Sequence, residues 1–132
     1  VRSFKIAAIV ALGAVGLDQG LKAQARAAVL HAPSLPLELT LALGLSGVIA
    51  LWSWSRARPE LRWPAAALTA GFASNVIDRL LPGRAAVLDH WRIDLLDLPG
   101  FSAALILNLA DLLLVAGLLG LVAVRISNKR SA

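Results

Sequence analysis

The chain has 132 residues, 58% hydrophobic and 16% charged, with a mean hydropathy of +0.75, which excludes a soluble domain, whose core would need far more polar cover. There is no cysteine, so disulfides, thiol nucleophiles and Cys-rich metal sites are excluded as well. The net charge of +5 reads as a membrane-topology signal and not as a nucleic-acid footprint, because no soluble basic face remains once the apolar runs are set aside.

Four apolar runs approach the roughly 20 residues a helix needs to cross a bilayer. The first covers about 4–22: Phe4 to Leu17 is apolar, and the helix continues through Asp18 to Lys22. Arg2 and Lys5 ahead of it imitate a signal peptide, but further spans follow and no small-residue cleavage site is evident, so it is read as a retained helix. A connection over roughly 23–36, with Pro33 and Pro36, lies along the interface and leads into a second run over 37–54. The third run covers 63–81. A polar stretch over 82–101 then holds Asp89, His90, Asp94 and Asp97, and the fourth run covers 102–124. The fold class expected is an all-α integral membrane protein, a single domain over 1–132 with four transmembrane helices and a reduced segment outside the bilayer.

Charge sets the orientation. Arg2, Lys5, Arg56, Arg58, Arg62, Arg125, Lys129 and Arg130 fall on one side, against Lys22, Arg26, Arg79, Arg84 and Arg92 on the other. The positive-inside rule makes both termini cytoplasmic. Of the acidic residues only Glu60 lies on the cytoplasmic side, and Trp52, Trp54 and Trp63 bracket the cytoplasmic hairpin as interfacial anchors.

Polar residues inside the spans are the informative ones, since an ionisable group at the middle of a spanning helix costs about 2.5–3.5 kcal/mol. Asp18 and Lys22 lie four apart and can pair along one face, which alone is an interfacial ion pair. Asn75, Asp78 and Arg79 share a face of the third helix and form a stripe toward the bundle interior. Asn108 and Asp111 stand at i and i+3 in AALILNLADLLLVAGLLG. A helix-packing hydrogen bond is the bland reading of that pair, but intramembrane acids are functional candidates by default. The segment IDLLDLPG supplies Asp94 and Asp97 just before that run; folded back on the membrane surface, it would bring Asp94 toward Asp111. Two close carboxylates share a proton rather than both ionise. One can then act as base on a water while the other donates a hydrogen bond to a scissile carbonyl. The residues by themselves leave that chemistry open. His31 and His90 lack metal-ligand spacing, and there is neither a nucleophile elbow nor a glycine-rich phosphate loop, so no metal and no cofactor are expected.

Four short motifs stand in order: DQGLK (Asp18 to Lys22), SNVIDR (Ser74 to Arg79), IDLLD (Ile93 to Asp97) and LNLAD (Leu107 to Asp111). Together they resemble the lipoprotein signal peptidases, or signal peptidase II, whose patterns are D-x-x-x-K, G-N-x-x-D-R, V-D-F/M-I-D and F-N-x-A-D. The resemblance implies a membrane aspartic endopeptidase of the bacterial cytoplasmic (inner) membrane, with its active site near the outer face. It would remove signal peptides from prolipoproteins before the cysteine that carries diacylglycerol. The partners implied are the lipidated substrate and membrane lipid, with the chain acting as a monomer. Asp94 and Asp111 fall on the catalytic dyad, and Asn75, Arg79 and Asn108 on the polar residues supporting it. Asp18 and Lys22 fall on the pair at the first helix end, and Asp78 on a structural position.

Three departures accompany the likeness. The N-x-G-A-A-F segment, which contributes a substrate-contacting Asn on an extracytoplasmic β-cradle, has no counterpart; ELTLALGLSG stands there instead, so the cradle is expected to be shortened or absent. Gly83 and Asp94 are farther apart than the pattern requires, which leaves Asp89, in AVLDHW, as a rival for the first catalytic position; IDLLDL favours Asp94 because it matches on both sides. Ser74 replaces a glycine. Two other readings follow. A non-catalytic relative that binds lipidated peptides or partner helices fits the missing cradle but not the retained acids. An ion pathway through Asp78 and Asp111 conflicts with the apolar inner halves of the helices.

Overall fold

The computed structural model describes residues 2–24, 29–31, 36–81, 87–89, 91–98 and 101–130. Four long helices dominate: α1 (Arg2–Gln24), α2 (Leu37–Ala57), α3 (Arg62–Leu80) and α4 (Leu109–Arg130). Three of them, over Ser3–Gln24, Leu37–Ala57 and Leu109–Lys129, are long and apolar enough to cross a membrane. α3 is the more polar helix, and α1, α2 and α4 all pack against it.

Local sequence explains the helix ends. The α2–α3 hairpin turns at Arg58, extended at φ −127° and ψ 90°, because a residue before proline is pushed out of the helical region. A 3-10 turn, Pro59–Leu61, leads into α3, whose Pro64 sits in the first turn, where no intrahelical N–H bond is lost. α4 begins on a reciprocal cap. The Asp111 N–H donates to Asn108 Oδ1 (3.0 Å), and the Asn108 N–H donates to Asp111 Oδ2 (3.0 Å). This is the exchange of a capping box, with Asn108 at the N-cap and Asp111 at N3. The helix therefore starts at Leu109, and Phe101–Leu107, expected as the first turns of a span from 102, is a strand. An apolar run of this length fits strand or helix equally; the cap decides between them.

The segments outside the helices form two small antiparallel ribbons, an addition to the helical membrane architecture expected. β1 (Val29–His31) pairs with β2 (Val87–Asp89), Val29 opposite Asp89, and so ties the α1–α2 connection to the α3–α4 connection. β3 (Trp91–Leu98) and β4 (Phe101–Leu107) make a hairpin with Trp91 opposite Leu107 and Asp94 opposite Ala104. The register shifts between Asp94 and Leu96, leaving Leu95 as the extra residue of a bulge. Most of the proline-bearing connection over 23–36 lies outside the described residues, as does His90.

Small residues let the helices approach. In a bilayer, lipid tails are as apolar as leucine, so helices associate through close packing and hydrogen bonds and not by escaping water. Ala7 and Ala11 of α1 meet Ala66 and Ala70 of α3 in a buried cluster. A Cβ on Gly71 would stand 2.5 Å from the Ala110 carbonyl oxygen, and one on Gly117 2.5 Å from Leu68 Cγ, so α3 and α4 touch backbone to side chain. α2 is attached more lightly: it buries Ser55 alone, lays Gly44 against the Phe72 ring, and sets Trp52 against the edge of the α1–α3 cluster. Toward the hairpin end it is linked by Trp52 Nε1, which donates to Thr69 Oγ1 at 2.7 Å.

Candidate active site

The ends of α1 and α3 and the start of α4 carry a buried polar array. Lys22 is its centre, placing Nζ 2.6 Å from Asp18 Oδ2 and 2.7 Å from Asp78 Oδ2, with the Lys22 side chain 1% exposed and both carboxylates fully enclosed. Lysine four residues after aspartate brings both to one face of α1, and Asp78 closes the triad from α3. A buried charge is tolerated only when its remaining lone pairs are also satisfied, and here they are. Ser74 Oγ donates to Asp18 Oδ2 (2.5 Å), the Ala110 N–H donates to Asp18 Oδ1 (3.1 Å), and Gln19 Nε2 donates to Asp78 Oδ1 (3.1 Å). Gln19 Nε2 also reaches Ser74 Oγ at 2.9 Å.

The Ala110 contact has a consequence beyond charge balance. Ala110 lies in the first turn of α4, where backbone N–H groups lack intrahelical partners and the helix dipole favours an anion. Asp18 of α1 supplies that anion, so one carboxylate holds Lys22 and seats the start of α4.

From this triad the hydrogen bonds run on to the second pair of acids. Lys22 Nζ donates to Asn75 Oδ1 (3.5 Å), as does Asn108 Nδ2 (3.4 Å), while Asn75 Nδ2 donates to Asp111 Oδ1 (3.3 Å). The two amides are thus oriented by their neighbours: the Asn75 oxygen faces donors and its nitrogen faces a carboxylate. Asn108 is fixed the same way. Its oxygen serves the α4 cap, and its nitrogen donates to Asp89 Oδ1 at 2.7 Å. Asp89 is buried at the end of β2, where pairing with Val29 sets its backbone. Asn108 therefore touches both a carboxylate of the cap, Asp111, and a carboxylate of the ribbon, Asp89.

This geometry bears on each residue singled out above. Asp18, Lys22, Asn75, Asp78, Asn108 and Asp111 come together in one array. Arg79 is engaged toward α2, where Nη1 donates to Thr40 Oγ1 at 2.7 Å and Thr40 Oγ1 in turn donates to the Pro36 carbonyl at 2.9 Å. The carboxylate bonded to Asn108 is that of Asp89, the rival first position. The backbone of Asp94 stands opposite Ala104, which is four residues, about 13 Å of extended chain, before Asn108. The side chains of Asp94, Asp97 and His31 lie outside the described residues. Sequence reasoning passed over Gln19, although it sits inside DQGLK, and Thr40, whose position at the start of α2 was the available signal. It noted Ser74 only as a departure from glycine; the hydroxyl is an integral donor. Among the described residues, no group of three or more His, Cys, Asp or Glu side chains is arranged to hold a metal ion.

Fold and site together define a class: a helical membrane protein with carboxylates and amides locked into one buried network at one end of the bundle. Residues 27–126 match the model of the signal peptidase (SPase) II family, and the chain belongs to that family. The lipoprotein signal peptidase of Xylella fastidiosa (strain M12) is 37% identical over 87 residues, covering 64% of this chain and 48% of that protein. The lipoprotein signal peptidase of Xanthomonas axonopodis pv. citri (strain 306) is 36% identical over 83 residues, covering 61% and 45%. The chain thus spans about half the length of the curated relatives it matches. A bacterial membrane enzyme solved by the in meso method at 1.9 Å resolution shares the fold, with a TM-score of 0.71 at 19% identity over 91% of this chain and 92% of that one. Family and apolar helices together make this a bacterial inner membrane protein.

Proposed function

We propose that the chain is an aspartic endopeptidase that cleaves the signal peptide of diacylglyceryl-modified prolipoproteins before the lipidated cysteine, with Asp89 and Asp111 as the acid pair. The observation that carries this reading is Asn108, whose cap bonds hold Asp111 and whose amide nitrogen holds Asp89. Asp89 accordingly takes the place first given to Asp94, which lies farther along the hairpin. In this reading the pair shares one proton. The ionised member takes a proton from water as that water attacks the scissile carbonyl, and the protonated member donates to the carbonyl oxygen. Asn75 and Asn108 hold the carboxylates, while Asp18, Lys22 and Asp78 hold the helices that carry them. α3 serves as the fourth span, lined by the other three helices, with both termini cytoplasmic and the acids near the outer face. A lipidated substrate then enters laterally from the bilayer.

The test is cleavage of a diacylglyceryl-modified prolipoprotein by purified protein in lipid, followed by gel shift and mass spectrometry. Asp89→Asn and Asp111→Asn are expected to abolish cleavage and Asp94→Asn to retain it. Activity that survives Asp89→Asn but not Asp94→Asn would keep the peptidase and overturn the pair. No cleavage by the folded protein, with lipidated peptide still bound, would replace the enzyme by a binding protein.

A further inference from the structure

At the end of the bundle away from the acids, α2 and α4 flank α3 and leave a groove open between them. Its mouth, a cavity of about 520 Å³, is formed by Arg58, Arg125, Asn128 and Lys129, and among the described residues no acidic side chain lines it. Leu51, Trp54 and Leu121 wall both this mouth and a second cavity of about 400 Å³ that continues along the helices to Gly44 and Phe72. The two share walls and make one channel, cationic at the end and apolar along its length. From Ala57, next to Arg58, to Gly44 is 13 positions of helix, about 20 Å, more than the roughly 15 Å depth of one leaflet. The Arg58 guanidinium lies over the Trp54 ring at 5.4 Å, so the cation is held at the depth where aromatic anchors sit.

We infer that this groove is a binding site for an anionic phospholipid such as phosphatidylglycerol. Its phosphate would be held among Arg58, Arg125 and Lys129, and an acyl chain would lie between α2 and α4 on the floor made by Leu68 and Phe72. The charge argument selects the headgroup: three cations converge without a carboxylate among them, and basic pockets between helices at the cytoplasmic face are where anionic headgroups bind. The apolar groove selects a lipid over a soluble anion, because a free phosphate uses the mouth and leaves the channel unfilled. A role follows for the lipid: occupying the gap, it would brace α2, the helix with least protein around it, against α4.

The experiment is native mass spectrometry of the full chain released from detergent after titration with phosphatidylglycerol or with phosphatidylcholine of the same acyl chains. The expected result is preferential retention of phosphatidylglycerol, weakened roughly fivefold for each of Arg58→Gln, Arg125→Gln and Lys129→Gln. Leu121→Trp, which fills the channel and leaves every charge in place, is expected to reduce retention as well. Equal retention of both lipids would overturn the site. So would an equal loss in a K5Q/R56Q variant, which removes more charge than any one of those substitutions from the same end but none from the groove. Displacement of the lipid by inorganic phosphate alone would show that the mouth reads a free anion, and the lipid assignment would fall.

Discussion

α2 and α3 are neighbours in the chain, similar in length at 21 and 19 residues, and joined by one tight hairpin, yet they answer to different surroundings. α2 is apolar enough to be a membrane span on composition, and it buries one residue, Ser55. α3 falls short of that apolarity and buries eight, among them Ser74 and Asp78. The difference follows from what touches each helix. Lipid surrounds α2 and demands apolar side chains; protein surrounds α3 and offers partners, so polar groups are tolerated there. Hydropathy therefore marks the helices that face lipid, and the helix packed against all the others is the one it marks least.

The sharpest break of this contrast is at Lys22, the cation on which the buried face of α3 depends. Lys22→Met removes the cation seated between the enclosed Asp18 and Asp78 carboxylates, and stability is expected to fall by about 3–5 kcal/mol, measured as unfolding in mixed micelles. Adding Asp78→Asn to Lys22→Met should recover part of that loss. A double variant no more stable than the single one would mean that the charge on Asp78 is not what the lysine offsets.

Next in size is packing. Gly71→Leu on α3 drives a side chain into the Ala110 carbonyl and Leu114 and is expected to cost about 1–3 kcal/mol. The same change at Gly47 on α2, where an added Cβ meets nothing within 4 Å, should stay within about 0.5 kcal/mol. Equal costs at the two glycines would erase the distinction between the helices. Smaller again is Thr40→Val, which removes the hydroxyl that joins α2 to Arg79 and should cost about 1 kcal/mol.

Three of the four motifs were legible because helical spacing alone brings their residues to one face. Asp18 and Lys22, Asn75 and Asp78, and Asn108 and Asp111 each meet as i, i+3 or i, i+4 pairs, and the structure joins them into one array. Asp89 was not legible in that way. Its place depends on β2 pairing with β1 across more than fifty residues of chain, and no local pattern in AVLDHW announces that pairing. IDLLD matches the pattern on both sides, but nothing in that match carries the register that sets Asp89 beside Asn108. The same limit misassigned Phe101–Leu107: its apolar side chains suit a span, and only the Asn108–Asp111 exchange, readable in sequence as a capping box, marks the helix start at Leu109.

The smallest effect is also the cleanest test of what holds α2. Ile49 points outward, 65% exposed, on the helix that buries least. In a soluble core, truncating isoleucine to alanine costs about 2–5 kcal/mol, through lost transfer energy and an unfilled cavity. Neither loss applies here: lipid tails fill the vacated volume, and they are as apolar as the side chain removed. Ile49→Ala should therefore change unfolding by no more than about 0.5 kcal/mol. A loss comparable to that of Gly71→Leu would mean that α2 is covered on its outer face by protein, and the contrast between the two helices would then rest on assembly rather than on lipid.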